Sequence, residues 1–245
     1  MISRTDVEAA ATSREIVALN REALPLPADV SNERDAHTVV SEVLHHFGRI
    51  DVLVNDAGVL GPIGSLVDND AQGWVSTILN NLGGTFFCCQ AVLPSMIRQK
   101  HGKIINLSGG GAVTSRPRFS AYACSKAAIV RLTEILAEEL KPYFIEVNAI
   151  APGGVYTRMT EQVILAGDAA GAKELADAYR LKKTQSSPDA AAALAVFLAS
   201  DASNGLSGRL ISATWDDWRS MAHQIENIMA SNMYTMRRIS PQTEN

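Results

Sequence analysis

The chain has 245 residues, 47% of them hydrophobic and 20% charged, with a formal net charge of −4. This composition suits one soluble globular domain with a large core, and the lack of a Lys/Arg-dense block argues against a nucleic-acid partner. No apolar run follows Met1-Ile2-Ser3-Arg4-Thr5-Asp6 to act as a signal peptide. The longest apolar run, Ala190 to Ala199, has about half the ~20 residues of a membrane span, and three cysteines without the spacing of a disulfide framework fit a reducing cytoplasm.

In chain order, Asp6 to Asn20 is predicted as a helix and Ala23 to Val30 as an extended segment, with Pro25 and Pro27 marking an irregular or edge strand. Ser31 is the predicted N-cap of a helix running to Phe47, with Glu33 and Asp35 in its first turn and Gly48 stopping it. Ile50 to Val54 is a short apolar run suited to a strand buried on both faces. Asp70 to about Lys100 reads as a long helix with Pro94 near its end, Lys103 to Leu107 as a strand, Ser120 to Leu140 as a helix and Phe144 to Ile150 as a strand. Arg158 to about Leu181 and Pro188 to Ala199 read as helical, and Arg209 to Ala213 as a last strand. This alternation predicts an α/β fold with a doubly wound parallel sheet covered on both faces. No repeat, linker or composition break divides residues 1–245, so one domain is expected.

Such sheets bind ligands beyond the carboxyl ends of their strands. Small or polar residues recur there, at Asp29, Asn55 to Gly58, Ser108 to Gly111 and Pro152 to Thr157. Any one of these loops is explained by turn chemistry; four together point to a site.

The sharpest motif is Tyr122-Ala123-Cys124-Ser125-Lys126. Tyr and Lys four apart share a helix face, and an ammonium near a phenol favours phenolate, as an acid/base acting on a carbonyl or alcohol oxygen requires. Taken alone, the spacing more often marks an exposed helical pair. Its context differs. Ser120 to Ala128 resembles the active-site helix of the short-chain dehydrogenase/reductase family. Asp29-Val30, Asp51 to Gly58, Asn81-Leu82-Gly83-Gly84 and Asn148 to Thr157 are similar, in order, to further marks of that family, spread over residues 2–213.

The resemblance implies a Rossmann-type fold and an NAD(P)-dependent oxidoreductase interconverting an alcohol and a carbonyl. Tyr122 would be the acid/base, and Lys126 would hold the nicotinamide ribose and tune Tyr122. Asn81 would hold a water in a proton relay behind Lys126. Asp29 and Val30 would contact the adenine; Asn55, Ala57 and Gly58 would line the adenosine half; Pro152, Gly153, Val155 and Thr157 would lie against the nicotinamide. A homodimer or homotetramer paired through the helices at about 70–100 and 120–140 is also implied.

Three departures stand against the family pattern. The family's opening strand, Gly-rich phosphate loop and helix have no counterpart before Met1-Ile2-Ser3-Arg4, so the fold is expected to be N-terminally truncated, with two inner sheet edges exposed. The strand that usually ends Asn-x-Ser-Ser reads Asn106-Leu107-Ser108-Gly109, which puts Gly109 at the catalytic Ser position; Ser108 or Ser115 would have to take over, or no hydroxyl acts there. Asp56 replaces the second Asn of the Asn-Asn-Ala-Gly turn, so an acceptor stands where a donor and acceptor is usual.

Arg4 follows the second family strand with no acid before Asp6, which favours NADP(H), with NAD possible. The substrate loop maps to about 156–187 and names no substrate. The extension at about 214–245 opens Thr214-Trp215-Asp216-Asp217-Trp218. Two Trp around two Asp suit a sugar-like pocket; a helix start capped by Thr214 or Asp216, with the rings packed on the core, is the preferred reading. Met233 to Ile239 reads as a segment docked on a neighbouring subunit or as a solvated end. Cys88, Cys89, Cys124 and the five His residues have no metal-ligand spacing, so no metal is expected. Two rival readings remain: a non-catalytic relative, and an inactive fragment.

Overall fold

A computed structural model describes residues 1–239. In chain order the elements are β1 (Ile2–Ser3), α1 (Asp6–Ala18), β2 (Leu26–Pro27), α2 (Glu33–Phe47), β3 (Val52–Asn55), α3 (Ala71–Ile78), α4 (Gly84–Gln99), β4 (Gly102–Leu107), α5 (Ser120–Leu140), β5 (Ile145–Ala151), α6 (Arg158–Ala166), α7 (Ala172–Thr184), α8 (Asp189–Ala199), β6 (Leu210–Ser212) and α9 (Ile225–Met229).

Every strand pair is parallel. β3, β4, β5 and β6 lie side by side in that order, and β1 pairs only with β2 in a separate two-stranded sheet. Among the described residues, β1 and β3 each have a strand neighbour on one side only, in line with the two inner edges expected from the sequence. One expectation fails at that edge. The run Ile50 to Val54 is not buried on both faces, because Val54 is 48% exposed where β3 has no outer neighbour among the described residues.

Successive strand residues point to opposite faces, and the core divides accordingly. Ile104 joins Val92, Met96, Leu136 and Val147 under α4 and α5, while Ile105 joins Ile150, Leu194, Leu198 and Ile211 under α8. A third cluster of Leu60, Phe119, Tyr122, Val163, Ala170 and Ala178 seats α6 and α7 at the carboxyl edge of the sheet.

Several boundaries move for local reasons. Asn32, not Ser31, caps α2, its side chain accepting from Arg34 N and Asp35 N. Ser31 instead donates its hydroxyl to Asp29 at 2.7 Å. The long helix from Asp70 is interrupted by a π turn at Leu79–Gly83 that separates α3 from α4. The helix expected over 158–181 breaks at Gly167 and Gly171, both at positive φ (54° and 86°). In the extension, Trp218 is buried and donates to Ala213 O at 3.2 Å, whereas Trp215 is 87% exposed, so only one ring packs on the core. Asp216 accepts from Ser212 N at 2.6 Å. Met233 to Arg237 docks on its own chain: Leu210 N donates to Tyr234 O at 2.8 Å, and Met236 N donates to the buried Glu134 carboxylate at 2.6 Å. Residues 240–245 of the expected extension lie outside the described residues.

Candidate active site

The helix α5 presents Tyr122 and Lys126 one turn apart, both buried, at 9% and 4% exposure. The exposed helical pair is thereby excluded. Lys126 Nζ donates to Leu107 O at 2.6 Å and lies 5.6 Å from the centroid of the Tyr122 ring. Burial pulls the ammonium down to about 8, opposed by the nearby Asp56 carboxylate. Burial also pushes the Tyr122 phenol up. The Arg116 guanidinium works against that rise, and Asp56 adds to it.

Asn81 sits in the π turn, fully buried, and braces the site from behind. Its Oδ1 accepts from Val59 N at 2.7 Å, and its Nδ2 donates to Val59 O and to Ser125 Oγ, both at 2.9 Å. Ser125 in turn donates to Tyr122 O at 2.7 Å. Both Nδ2 protons are spent in tying the 58–59 turn to α5, a bracing arrangement that a periodic helix reading could not show. π turns recur at functional sites because they reset a helix face locally. Gly58 lets these groups meet: a Cβ there would lie 3.3 Å from Asn81 Oδ1 and 3.6 Å from Lys126 Nζ.

Ser108 is buried and its Oγ donates to Lys126 O at 3.2 Å, so its hydroxyl faces the α5 backbone. Ser115 is exposed. Gly109 faces Tyr122 instead, and a Cβ at this position would stand 2.5 Å from Tyr122 Oη. The phenol occupies the space that a side chain at 109 would need.

The remaining expected residues lie along the same edge, with their polar groups engaged to different degrees. Arg4 is exposed directly after β1. Asp29 accepts from Ser31 N and Ser31 Oγ, a local turn that consumes one carboxylate oxygen. Val30 packs on the start of α4, where a Gly84 Cβ would come within 3.2 Å of it. Asn55 turns its amide inward to Asn106 Oδ1 at 2.9 Å and to Cys89 Sγ, so its side chain belongs to the seam between sheet and α4 and does not line a cleft. Asp56 and Ala57 are exposed beside it. Beyond β5, Pro152 is half-buried and Gly153, at φ 83°, presses against Thr214. Val155 O accepts from Thr160 Oγ1 at 2.9 Å, and Thr157 caps α6 in a reciprocal capping box with Thr160. Arg116 also borders the site, 5.5 Å from the Tyr122 ring centroid, and its only signal in the sequence is its place six residues before Tyr122. Among the described residues no three His, Cys, Asp or Glu side chains come together as metal ligands.

Residues 1–213 match the family model described as Enoyl-(Acyl carrier protein) reductase. A 3-oxoacyl-[acyl-carrier-protein] reductase of Synechocystis is 35% identical over 161 residues, covering 66% of this chain and 65% of that protein, just under two thirds of its length. The counterpart from Thermotoga maritima is 36% identical over 187 residues, 76% of this chain and 74% of the relative. Among solved structures, an NAD+-bound xylitol dehydrogenase superposes with a TM-score of 0.79 at 27% identity, covering 86% of this chain and 85% of that one. A gluconate 5-dehydrogenase from Burkholderia cenocepacia in complex with NADP and tartrate gives 0.75 at 27% identity, covering 86% and 82%. The chain belongs to the short-chain dehydrogenase/reductase family, a family of NAD(P)-linked oxidoreductases.

The nicotinamide-ribose half of such a cofactor fits the residues present. Lys126 is a buried ammonium with one protein acceptor among the described residues, Leu107 O, which leaves two N–H bonds free beside Gly58.

Proposed function

We propose that this protein interconverts an alcohol and a carbonyl with NADP(H), NAD being the second candidate, and that Tyr122 moves the proton. The observation that carries the reading is the buried Tyr122–Lys126 pair braced through Ser125 by Asn81. The cofactor, when bound, supplies or accepts the hydride. Tyr122 Oη gives its proton to the oxygen of a carbonyl being reduced, or takes it from an alcohol being oxidised. Lys126 holds the ribose hydroxyls with its free N–H bonds and keeps positive charge beside Tyr122. Asn81 acts as a positioning residue, because its hydrogen bonds hold the 58–59 turn against α5. Arg4, Asp29, Val30, Ala57 and Gly58 flank the adenosine side; Pro152, Gly153, Val155 and Thr157 flank the nicotinamide.

The relatives and neighbours support this reaction class, being 3-oxoacyl-[acyl-carrier-protein] reductases, a xylitol dehydrogenase and a gluconate 5-dehydrogenase. The non-catalytic alternative rests on Gly109, and no relative cited above carries a non-enzymatic name. The same reading places the protein in the cytoplasm as one domain. It pairs copies through α4 and α5, where Phe86 and Ile135 are exposed apolar residues. No helix among the described residues is long and apolar enough to cross a membrane. The test is turnover of NADPH with a ketone panel by the 245-residue chain and by Tyr122→Phe. Loss of turnover in the variant supports the reading, and full turnover contradicts it.

A further inference from the structure

The loop between β4 and α5 lacks the hydroxyl that the family places beside Tyr122, and an arginine stands there. The Arg116 guanidinium lies 4.2 Å from the centroid of the Phe119 ring and 5.5 Å from that of Tyr122. It is held from the other side by Glu174 on α7, which accepts from Nε at 3.1 Å and from Nη2 at 2.7 Å. Both partners are largely screened from water, at 20% and 22% side-chain exposure, so the geometry is more restrained than that of a surface pair. Four residues on, on the same face of α7, Ala178 packs into the cluster that contains Tyr122. A second arginine fastens the same segment: Arg118 donates to Asp168 O and Ala169 O, both at 3.1 Å.

We infer that Arg116 is a positioning residue for Tyr122: set over the ring by Glu174 and Phe119, it supplies a fixed positive charge that favours the phenolate, and it does so only while α7 is seated. The inference rests on the reading of Tyr122 as the proton-transferring group. The charged groups around the phenol are few. Lys126 lies on its own helix with its ammonium turned to Leu107 O, and Asp56, beyond β3, acts in the opposite sense. Arg116 approaches from the loop, and Glu174 partly neutralises it from α7. The contribution of Arg116 to the Tyr122 proton affinity agrees in sign with this geometry. The substrate loop thereby becomes part of the acid/base machinery, because unseating α7 withdraws Glu174 and frees the guanidinium to turn to water.

The experiment is a pH titration of the full chain with fluorotyrosine in place of tyrosine, followed by fluorine NMR. Ring fluorination brings the phenol into a range where the fold is stable, and the Tyr122 signal is the one absent in Tyr122→Phe. Arg116→Gln keeps a donor for Glu174 and much of the stem; Arg116→Lys keeps the charge. A unit charge at this distance, partly neutralised, is worth about one pH unit. Arg116→Gln is therefore expected to raise the Tyr122 midpoint by about that much, a tenfold loss of phenolate at fixed pH, while Arg116→Lys recovers most of it. An unmoved midpoint in Arg116→Gln, or equal shifts in both variants, overturns the inference. Turnover of Tyr122→Phe is scored separately: if it is full, the proposed function fails whatever the titration shows.

Discussion

Replacing Lys126 by Met separates the cost of a buried charge from its use. The ammonium drops from 10.5 to about 8 on folding, with burial as the main cause. Because the folded value lies below the unfolded one, the charged form costs stability below pH 8, and that cost is released as pH rises from 8 through 10.5. At about 1.4 kcal/mol per pH unit, the cost is about 3 kcal/mol. Against this, Lys126→Met leaves Leu107 O without its 2.6 Å donor, a loss of about 1–3 kcal/mol for a buried acceptor. At pH 7 the variant should be between unchanged and about 2 kcal/mol more stable than the wild type. That advantage should decline by about 3 kcal/mol between pH 7 and pH 10.5, as the wild-type lysine sheds its proton. Urea unfolding of both proteins at several pH values reads this directly, and NADPH turnover should fall by about 10²-fold or more in the same variant. A variant destabilised by more than 2 kcal/mol at pH 7, with a difference flat in pH, would show that the buried ammonium carries no such cost.

Three further outcomes follow from the geometry. Gly109→Ala places a Cβ 2.5 Å from Tyr122 Oη; the phenol must retreat by roughly an ångström, and turnover should drop about 100-fold at modest cost in Tm. Asn81→Ala removes the bonds to Val59 N, Val59 O and Ser125 Oγ, and should destabilise the protein by about 2–4 kcal/mol in urea melts. Iodoacetamide at pH 8 should label the exposed Cys124 and spare Cys88 and Cys89, whose buried thiols are pushed up to about 11 and about 12, as mass spectrometry of the native protein would show.

The alternation of apolar runs and amphipathic stretches made the parallel α/β plan legible, because strand and helix periods are local properties of the chain. The same is true of α5, whose Tyr122 and Lys126 share a face by helical geometry alone. What local pattern could not show was set by contacts distant in sequence. The π turn around Asn81 is held by Val59 and Ser125, 22 and 44 residues away. The inward turn of Asn55 depends on Asn106 in the neighbouring strand, and the direction of Ser108 on the carbonyl of Lys126. Arg116 was invisible for the same reason, since its partner Glu174 lies 58 residues on. The break of the long helix at Gly167 and Gly171 was readable in principle, as two glycines that each accept a positive φ.

The role of Tyr122 is tested by the rate of NADPH oxidation by the 245-residue protein and by Tyr122→Phe across a panel of ketones. Turnover is expected on at least one ketone, reduced about 10²–10⁴-fold in the variant, with NADPH binding retained. Equal turnover in the two proteins would contradict that role.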